Sequence, residues 1–302
     1  MTLEQVTAEH YQAQQQIVRI TAEQAQALWG EVGARSVIQQ WMDLLAQIVA
    51  LLTRGQLAAA RLATPYLQQV AAEQGAPSPL EAAVVAGAFA GVAADGRALA
   101  DLLMQPALRT AGLLVRGADD QDALRSGLAS LMRIVATEIP DAGRTAAGAG
   151  IVANKQFTTY VRMLRLPSCG RCILLAGTPY KWSEGFQRHP QCDCYHLPVV
   201  RNRGDSLPGE TPKQVFEGMT REQQDAAFGK DAAEAIRAGA DMGRVVNARR
   251  GIYTAGGREL TKTRATRRRT REERPTSEQI MREHADDRDA AIAQLRRYGY
   301  IT

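Results

Sequence analysis

All four cysteines of this 302-residue chain fall between positions 169 and 194. They come as two pairs, Cys169-x-x-Cys172 and Cys192-x-Cys194, with His189 and His196 on either side of the second pair. Two thiols two residues apart can reach one metal ion because the turn between them directs both sulfurs inward, and a second pair then completes a tetrahedron around zinc. Cys169, Cys172 and Cys192 are the first three choices of ligand. His189 and Cys194 are alternatives for the fourth, because Cys-x-Cys is tighter than the usual second zinc knuckle. A structural zinc would have a plain use here, since so short a segment lacks a hydrophobic core of its own and bound zinc contributes folding free energy of about 10 kcal/mol.

Other uses of these residues fit less well. Disulfides need an oxidising compartment, whereas the start "MTLEQVTAEHYQAQQQ" lacks the basic then apolar pattern of a secretion signal, so a chain made in the cytosol is expected. A Cys192–Cys194 bridge would also be strained. Arg171 could acidify a thiol of Cys-Gly-Arg-Cys, but the βαβ pattern of a thioredoxin-like redox site is missing. A Ser-His protease would have to draw on His10 or His284, both on predicted helices, and no Gly-x-Ser-x-Gly motif is present. A cysteine protease would take its nucleophile from the metal set. A His-metal nuclease would force His196 and Asp193 into roles for which no downstream histidine falls within reach. No catalytic residue is assigned.

The net charge of +5 conceals an asymmetry. Residues 1–150 carry 10 Lys or Arg against 14 Asp or Glu, a balance of −4, while residues 151–302 carry 27 against 18, a balance of +9. The strongest basic run includes Arg264, Arg267, Arg268, Arg269 and Arg271, flanked by Arg258, Lys262 and Arg274. No aromatic residue interleaves to stack on bases, so this spacing suits neutralisation of DNA phosphates without reading of sequence. A solvated or protein-contacting tail is the other reading of the same run.

The elements that must position these residues are mostly helical. Aromatic residues make up 5% of the chain while Ala, Leu and Gln abound, a mix that favours helix over sheet. Apolar positions recur at helical spacing over 3–32, 36–54, 56–74, 79–92, 96–115 and 119–138, with breaks predicted at 75–79, 117–121 and 139–150. Trp29 and Trp41 lie in this pattern as core residues. No uncharged apolar run reaches the roughly 18 to 20 residues of a membrane span. "KQFTTYVRML" reads as a strand or short helix, and "RCILLAG" and "CYHLPVV" as short strands flanking a loop. Thr220 is a plausible helix N-cap answered by Glu222 or Gln223. Residues 256–276 have little to bury, which predicts mobility, and a terminal helix is expected over 277–297.

The expected organisation is therefore a mostly α chain. It comprises an N-terminal helical bundle (1–150), a small zinc-binding α+β module (151–200), a helical segment (201–255), and a basic, partly disordered C-terminal region with a terminal helix (256–302).

The string "CGRCILLAGTPYKWSEGFQRHPQCDCYHLPV" resembles the cysteine-rich segment of the Mu F-like minor head proteins of tailed bacteriophages, in the form carried by phages of actinobacteria. The matching features are Cys169 and Cys172, the Leu-x-Gly turn at 175–177, the His-Pro-x-Cys-x-Cys ending at 189–194, and Pro198. The stretches "AEHYQAQQQIVRITAEQAQALW" and "AFGKDAAEAIRAGADMGRVVNARRG" are similar to the same family, whereas the tail after 256 is not matched. The resemblance implies a few copies in the virion head interior after assembly in the host cytoplasm. It implies association with the portal protein and with the major capsid or scaffold protein, and a part in head assembly or DNA packaging and ejection. No membrane is implied. Some relatives are labelled capsid maturation proteases, an activity the residues themselves do not support.

Overall fold

The computed structural model describes residues 2–76, 79–185, 189, 194–201, 208–263 and 273–301. The chain forms two compact units, Met1–Met163 with Pro179–Pro208, and Leu164–Thr178 with Gly209–Thr302. The fold is mostly α, as the composition predicts.

The first unit holds helices α1 (Leu3–Trp29), α2 (Val37–Arg61), α3 (Ala63–Glu73), α4 (Leu99–Leu103), α5 (Gln105–Val115) and α6 (Asp120–Ala153), followed by strands β1 (Phe157–Met163), β2 (Pro179–Lys181) and β3 (Tyr195–Val200). Helix α1 starts at a capping box in which Thr2 accepts from the Gln5 N–H and Gln5 answers the Thr2 N–H. Asp119 caps α6 by accepting from the N–H groups of Gln121 and Asp122. Helix α6 packs on α1, α2, α3 and α5. Their shared core contains Trp41, Ile48, Leu52, Leu103, Leu131, Val135 and Ile139. Trp29 and Trp41 meet edge to face at 5.0 Å, and each satisfies its indole N–H, on Leu124 O at 3.2 Å and Leu103 O at 2.7 Å. Both belong to the core, as the helical spacing predicts.

Several element boundaries differ from the sequence reading. No break occurs near 55, because Gly55 lies inside α2, where an added Cβ would come within 2.8 Å of Ile139 Cδ1. The helix is interrupted instead at Leu62. The stretch 79–92 forms only a 3₁₀ turn, Ala86–Phe89; Val84, Ala86 and Phe89 pack against Ala60, Ala63, Ala146 and Ala147, while Val85 and Val92 stay exposed and Gly91 takes φ +82°. The expected helix over 96–115 divides at Met104, with Pro106 in the first turn of α5. Helix α6 runs through the predicted break at 139–150 despite Pro140, because Ile139, Ala142, Ala146, Ala147 and Ile151 are all buried on both sides of it. Packing here outweighs the lost backbone hydrogen bond and the propensity cost of Pro and Gly. By length and composition, Ala34–Glu73 is apolar enough to cross a membrane. In this fold it supplies core residues Trp41, Ile48, Leu52, Ala59 and Leu67.

The sheet has the antiparallel order β2-β1-β3, so β3 is an edge. Its outward backbone groups are covered by side chains of α3 and the residue after it. Tyr66 Oη donates to His196 O at 2.7 Å, Gln74 Nε2 donates to Pro198 O at 2.7 Å, and Gln74 Oε1 accepts from Val200 N at 3.3 Å. An edge satisfied in this way does not recruit a further strand. The ring of Tyr66 in turn stacks on buried His10 of α1, with centroids 3.9 Å apart.

The second unit begins with α7 (Gly170–Leu174), a helix where a strand was expected for "RCILLAG". The short continuous apolar run fits a buried strand or a helical turn equally well; Cys172 and Ile173 are adjacent and both buried, which one face of a helical turn allows. It continues with α8 (Pro212–Gly218), α9 (Arg221–Phe228), α10 (Lys230–Arg237) and α11 (Met242–Ala248). Thr220 caps α9 in a box with Gln223 rather than Glu222. Strands β4 (Ile252–Ala255), β5 (Arg258–Thr261) and β6 (Arg274–Pro275) form an antiparallel sheet, joined first through Gly256 and Gly257, both at positive φ. The stretch 256–276 thus has something to bury after all, since Leu260 and Arg274–Pro275 pair across the sheet and are enclosed. The terminal helix is two, α12 (Ser277–Glu283) and α13 (Arg288–Arg297). Phe216, Phe228, Val245, Ile280, Leu295 and Tyr300 form the core of this unit.

Burial lowers the pKa of His10 to about 4. The unfolded chain therefore takes up a proton first as pH falls below about 6.5, and stability is lost between that value and about 4, by on the order of 3 kcal/mol. The difference in melting temperature between the wild-type chain and His10→Gln should accordingly shrink from pH 7 to pH 4, which thermal unfolding at stepped pH measures.

Candidate metal centre

The first cysteine pair is positioned by a turn that packing holds in place. Cys169 is the N-cap residue of α7, with φ −74° and ψ 157°, and its carbonyl accepts the first helical hydrogen bond from Ile173 N at 3.0 Å. Just ahead of it, Ser168 Oγ donates to Arg165 O at 2.6 Å. One residue on, Gly170 is pressed against Phe228: a Cβ there would come within 2.8 Å of two ring carbons and 3.2 Å of Ala227 O. Ile173 enters the core beneath. The turn ends at Gly177, where φ is +66° and a Cβ would lie 2.6 Å from Glu210 O, so only glycine fits.

The outcome is one exposed thiol, Cys169, and one buried thiol, Cys172, with Sγ atoms within 4.8 Å of each other. Two thiolates bound to one tetrahedral zinc at about 2.3 Å each sit roughly 3.8 Å apart. The pair is therefore near metal-binding separation. Cys169, Cys172 and His189 together form a group that could bind a metal ion.

The remaining predicted ligands are placed differently. Cys194 is fully buried in the first unit, just before β3, and is outside that group. Its carbonyl accepts from Arg144 Nη1 at 3.3 Å, and Arg144 is held by Asp141 through Nε at 3.1 Å and Nη2 at 2.5 Å. His196 is also buried, opposite Arg162 in the β1–β3 register and edge-on to the Tyr160 ring at 4.6 Å. Cys192 lies outside the described residues, as do the predicted DNA contacts Arg264, Arg267, Arg268, Arg269 and Arg271.

Two features escaped the sequence reading. The buried Asp141–Arg144 pair has helical i,i+3 spacing, a signal visible in hindsight, but its burial depends on α6 running past Pro140. The contact of Gly170 with Phe228 joins residues 58 positions apart and leaves no local trace.

These observations define a mostly helical protein whose cysteine turn could bind a metal ion. The family described as VG15 protein matches residues 1–222, and the chain belongs to that family of viral proteins. No curated protein and no solved structure matches the chain.

Gly170→Ala should destabilise the second unit by about 1 to 3 kcal/mol, as overpacking does, and lower the metal retained per chain. Gly218→Ala, which meets nothing within 4 Å, is the matched control and should change neither. Thermal melts and elemental analysis of the purified variants check both.

Proposed function

We propose that this chain is a minor head protein of a tailed phage, of the Mu F-like type, acting by binding rather than catalysis. The observation that carries the reading is the match to a viral family over residues 1–222, a span that includes the whole cysteine segment on which the head-protein resemblance rests. In this role the N-terminal helices bind the portal protein and the major capsid or scaffold protein. The protein assists head assembly or DNA packaging and ejection, starting in the host cytoplasm and ending in the virion head interior. The excess positive charge of the C-terminal half favours contact with packaged DNA without sequence preference, through the run containing Arg264 to Arg271.

A structural zinc is part of the proposal. Thiolate and imidazole donors suit zinc rather than magnesium or calcium, and Cys169, Cys172 and His189 supply that set, with Cys192 as the fourth ligand. Zinc bound there would add to the packing of Ile173 and Gly170 that already holds the cysteine turn, without taking part in a reaction.

Intact mass of the purified chain under native and then denaturing conditions tests the reading. One zinc on an uncut chain, lost on Cys172→Ser substitution, together with recovery of the chain with portal protein from assembled heads, is the expected result. A metal-free chain shortened at a defined bond would overturn it and point to a capsid maturation protease.

A further inference from the structure

Most arginines that take part in ion pairs in the second unit sit at its surface. Arg249 meets Glu278 at 2.8 Å, Arg258 meets Glu283 at 2.5 Å, and Arg237 meets Asp225 and Glu234 at 2.9 and 2.8 Å. Arg274 differs. It lies on β6, only 8% exposed, with its guanidinium over the buried ring of Tyr300, 3.9 Å from Cζ to the centroid. Nε donates to Tyr298 O at 3.0 Å and Nη1 to Thr263 O at 2.8 Å, while buried Nη2 has no hydrogen-bond partner among the described residues.

A second cation stands near. Arg244 of α11, half-buried, donates through Nη1 to Gly299 O, in the same turn that Arg274 engages at Tyr298. Burial lowers the pKa of Arg274, and the Arg244 charge adds to that, so the two guanidinium groups feel each other. Among the described residues no carboxylate pairs with either. Asp241 is engaged in capping α11 through the Arg244 backbone N–H, and Glu278 is paired with Arg249. Two like charges converging on neutral carbonyls, one with an unsatisfied buried N–H, make an arrangement that an anion would complete. Burying a charged donor without a partner is costly, and an oxyanion that bridges both groups removes that penalty along with their mutual repulsion.

We propose that Arg274 and Arg244, both hydrogen-bonded to carbonyls of the Tyr298–Tyr300 turn, form a binding site for a phosphate-class oxyanion. The site takes one tetrahedral oxyanion, with Arg274 Nη2 and the Arg244 guanidinium as donors. Its two sources are free inorganic phosphate and the phosphodiester backbone of a nucleic acid. The inference does not rest on the head-protein reading or on bound zinc, and either can fail without the other.

The test is calorimetric titration of the full chain with sodium phosphate, at ionic strength held constant with sodium chloride so that screening does not change. Saturable binding is expected, weakened at least tenfold in Arg274→Lys, which keeps the charge but removes Nη2, and in Arg244→Gln. Circular dichroism melts establish that the variants fold. Should Arg274→Lys fail to fold, Arg244→Gln, whose side chain is half-exposed, carries the test alone. A short DNA duplex that displaces phosphate from the wild-type chain, but binds Arg244→Gln more weakly, assigns the site to nucleic-acid backbone. A duplex that leaves phosphate binding unchanged assigns it to the free ion. No saturable phosphate binding, or equal binding in wild type and Arg244→Gln, overturns the proposal.

Discussion

Close approach to helix α6 is the constraint on which the first unit depends. Three glycines set it. A Cβ on Gly127 would fall 2.4 Å from the Trp29 indole, one on Gly143 would fall 2.6 Å from Gln14 Nε2, and one on Gly150 would fall 2.3 Å from Leu67 Cδ1. These neighbours come from α1 and α3, so one helix with side chains missing at three places along its length admits both. Glycine inside a helix costs about 1 kcal/mol in propensity, and Pro140 costs more. The helix persists because its buried apolar surface, at roughly 25 cal/mol per Å², outweighs those penalties. The same helix carries Arg144 and Asp141 to the start of β3. A buried pair of this kind adds little net stability, but it fixes the backbone that enters the strand from the cysteine segment.

The second unit solves a different problem. Helix α7 has five residues, too few to be stable alone, and yet it must hold two thiols within reach of one ion. Ile173 and the Gly170 contact with Phe228 anchor it to a core built from α8 to α13. The thiol facing inward, Cys172, is fixed by that anchoring, while Cys169 at the cap stays open to solvent. A metal ion at this turn therefore meets one ligand already placed by packing and another that is accessible, which lowers the ordering penalty that metal binding must overcome.

Charge is distributed in the same divided manner. Residues 1–150 carry an acidic balance of −4 and residues 151–302 a basic balance of +9. Within the second unit that excess is not uniform. Arg249, Arg258 and Arg282 are paired with carboxylates across its surface, whereas Arg244 and Arg274, among the described residues, engage carbonyls and an aromatic ring. Net charge alone does not distinguish these two groups of arginines. Their partners do.

The sequence by itself determined the helical class, the long first helix, the two core tryptophans, the capped start of α9, the strand over 195–200 and the closeness of a cysteine pair that could bind a metal ion. Each of these is written within a few residues, as a repeat near 3.6, a cap, an alternation or a short ligand spacing. Only the tertiary structure decided that α6 continues through Pro140, that 79–92 forms one 3₁₀ turn and no α-helix, that "RCILLAG" winds into a helix, and that part of the basic tail closes a small sheet. It also decided that Cys194 and His196 are enclosed in the first unit. The physical reason is common to all of these. Local propensities differ by about 1 kcal/mol per residue, while burial against a distant partner such as Phe228, Leu67 or Trp29 is worth more, and the identity of that partner is not recorded nearby in the chain.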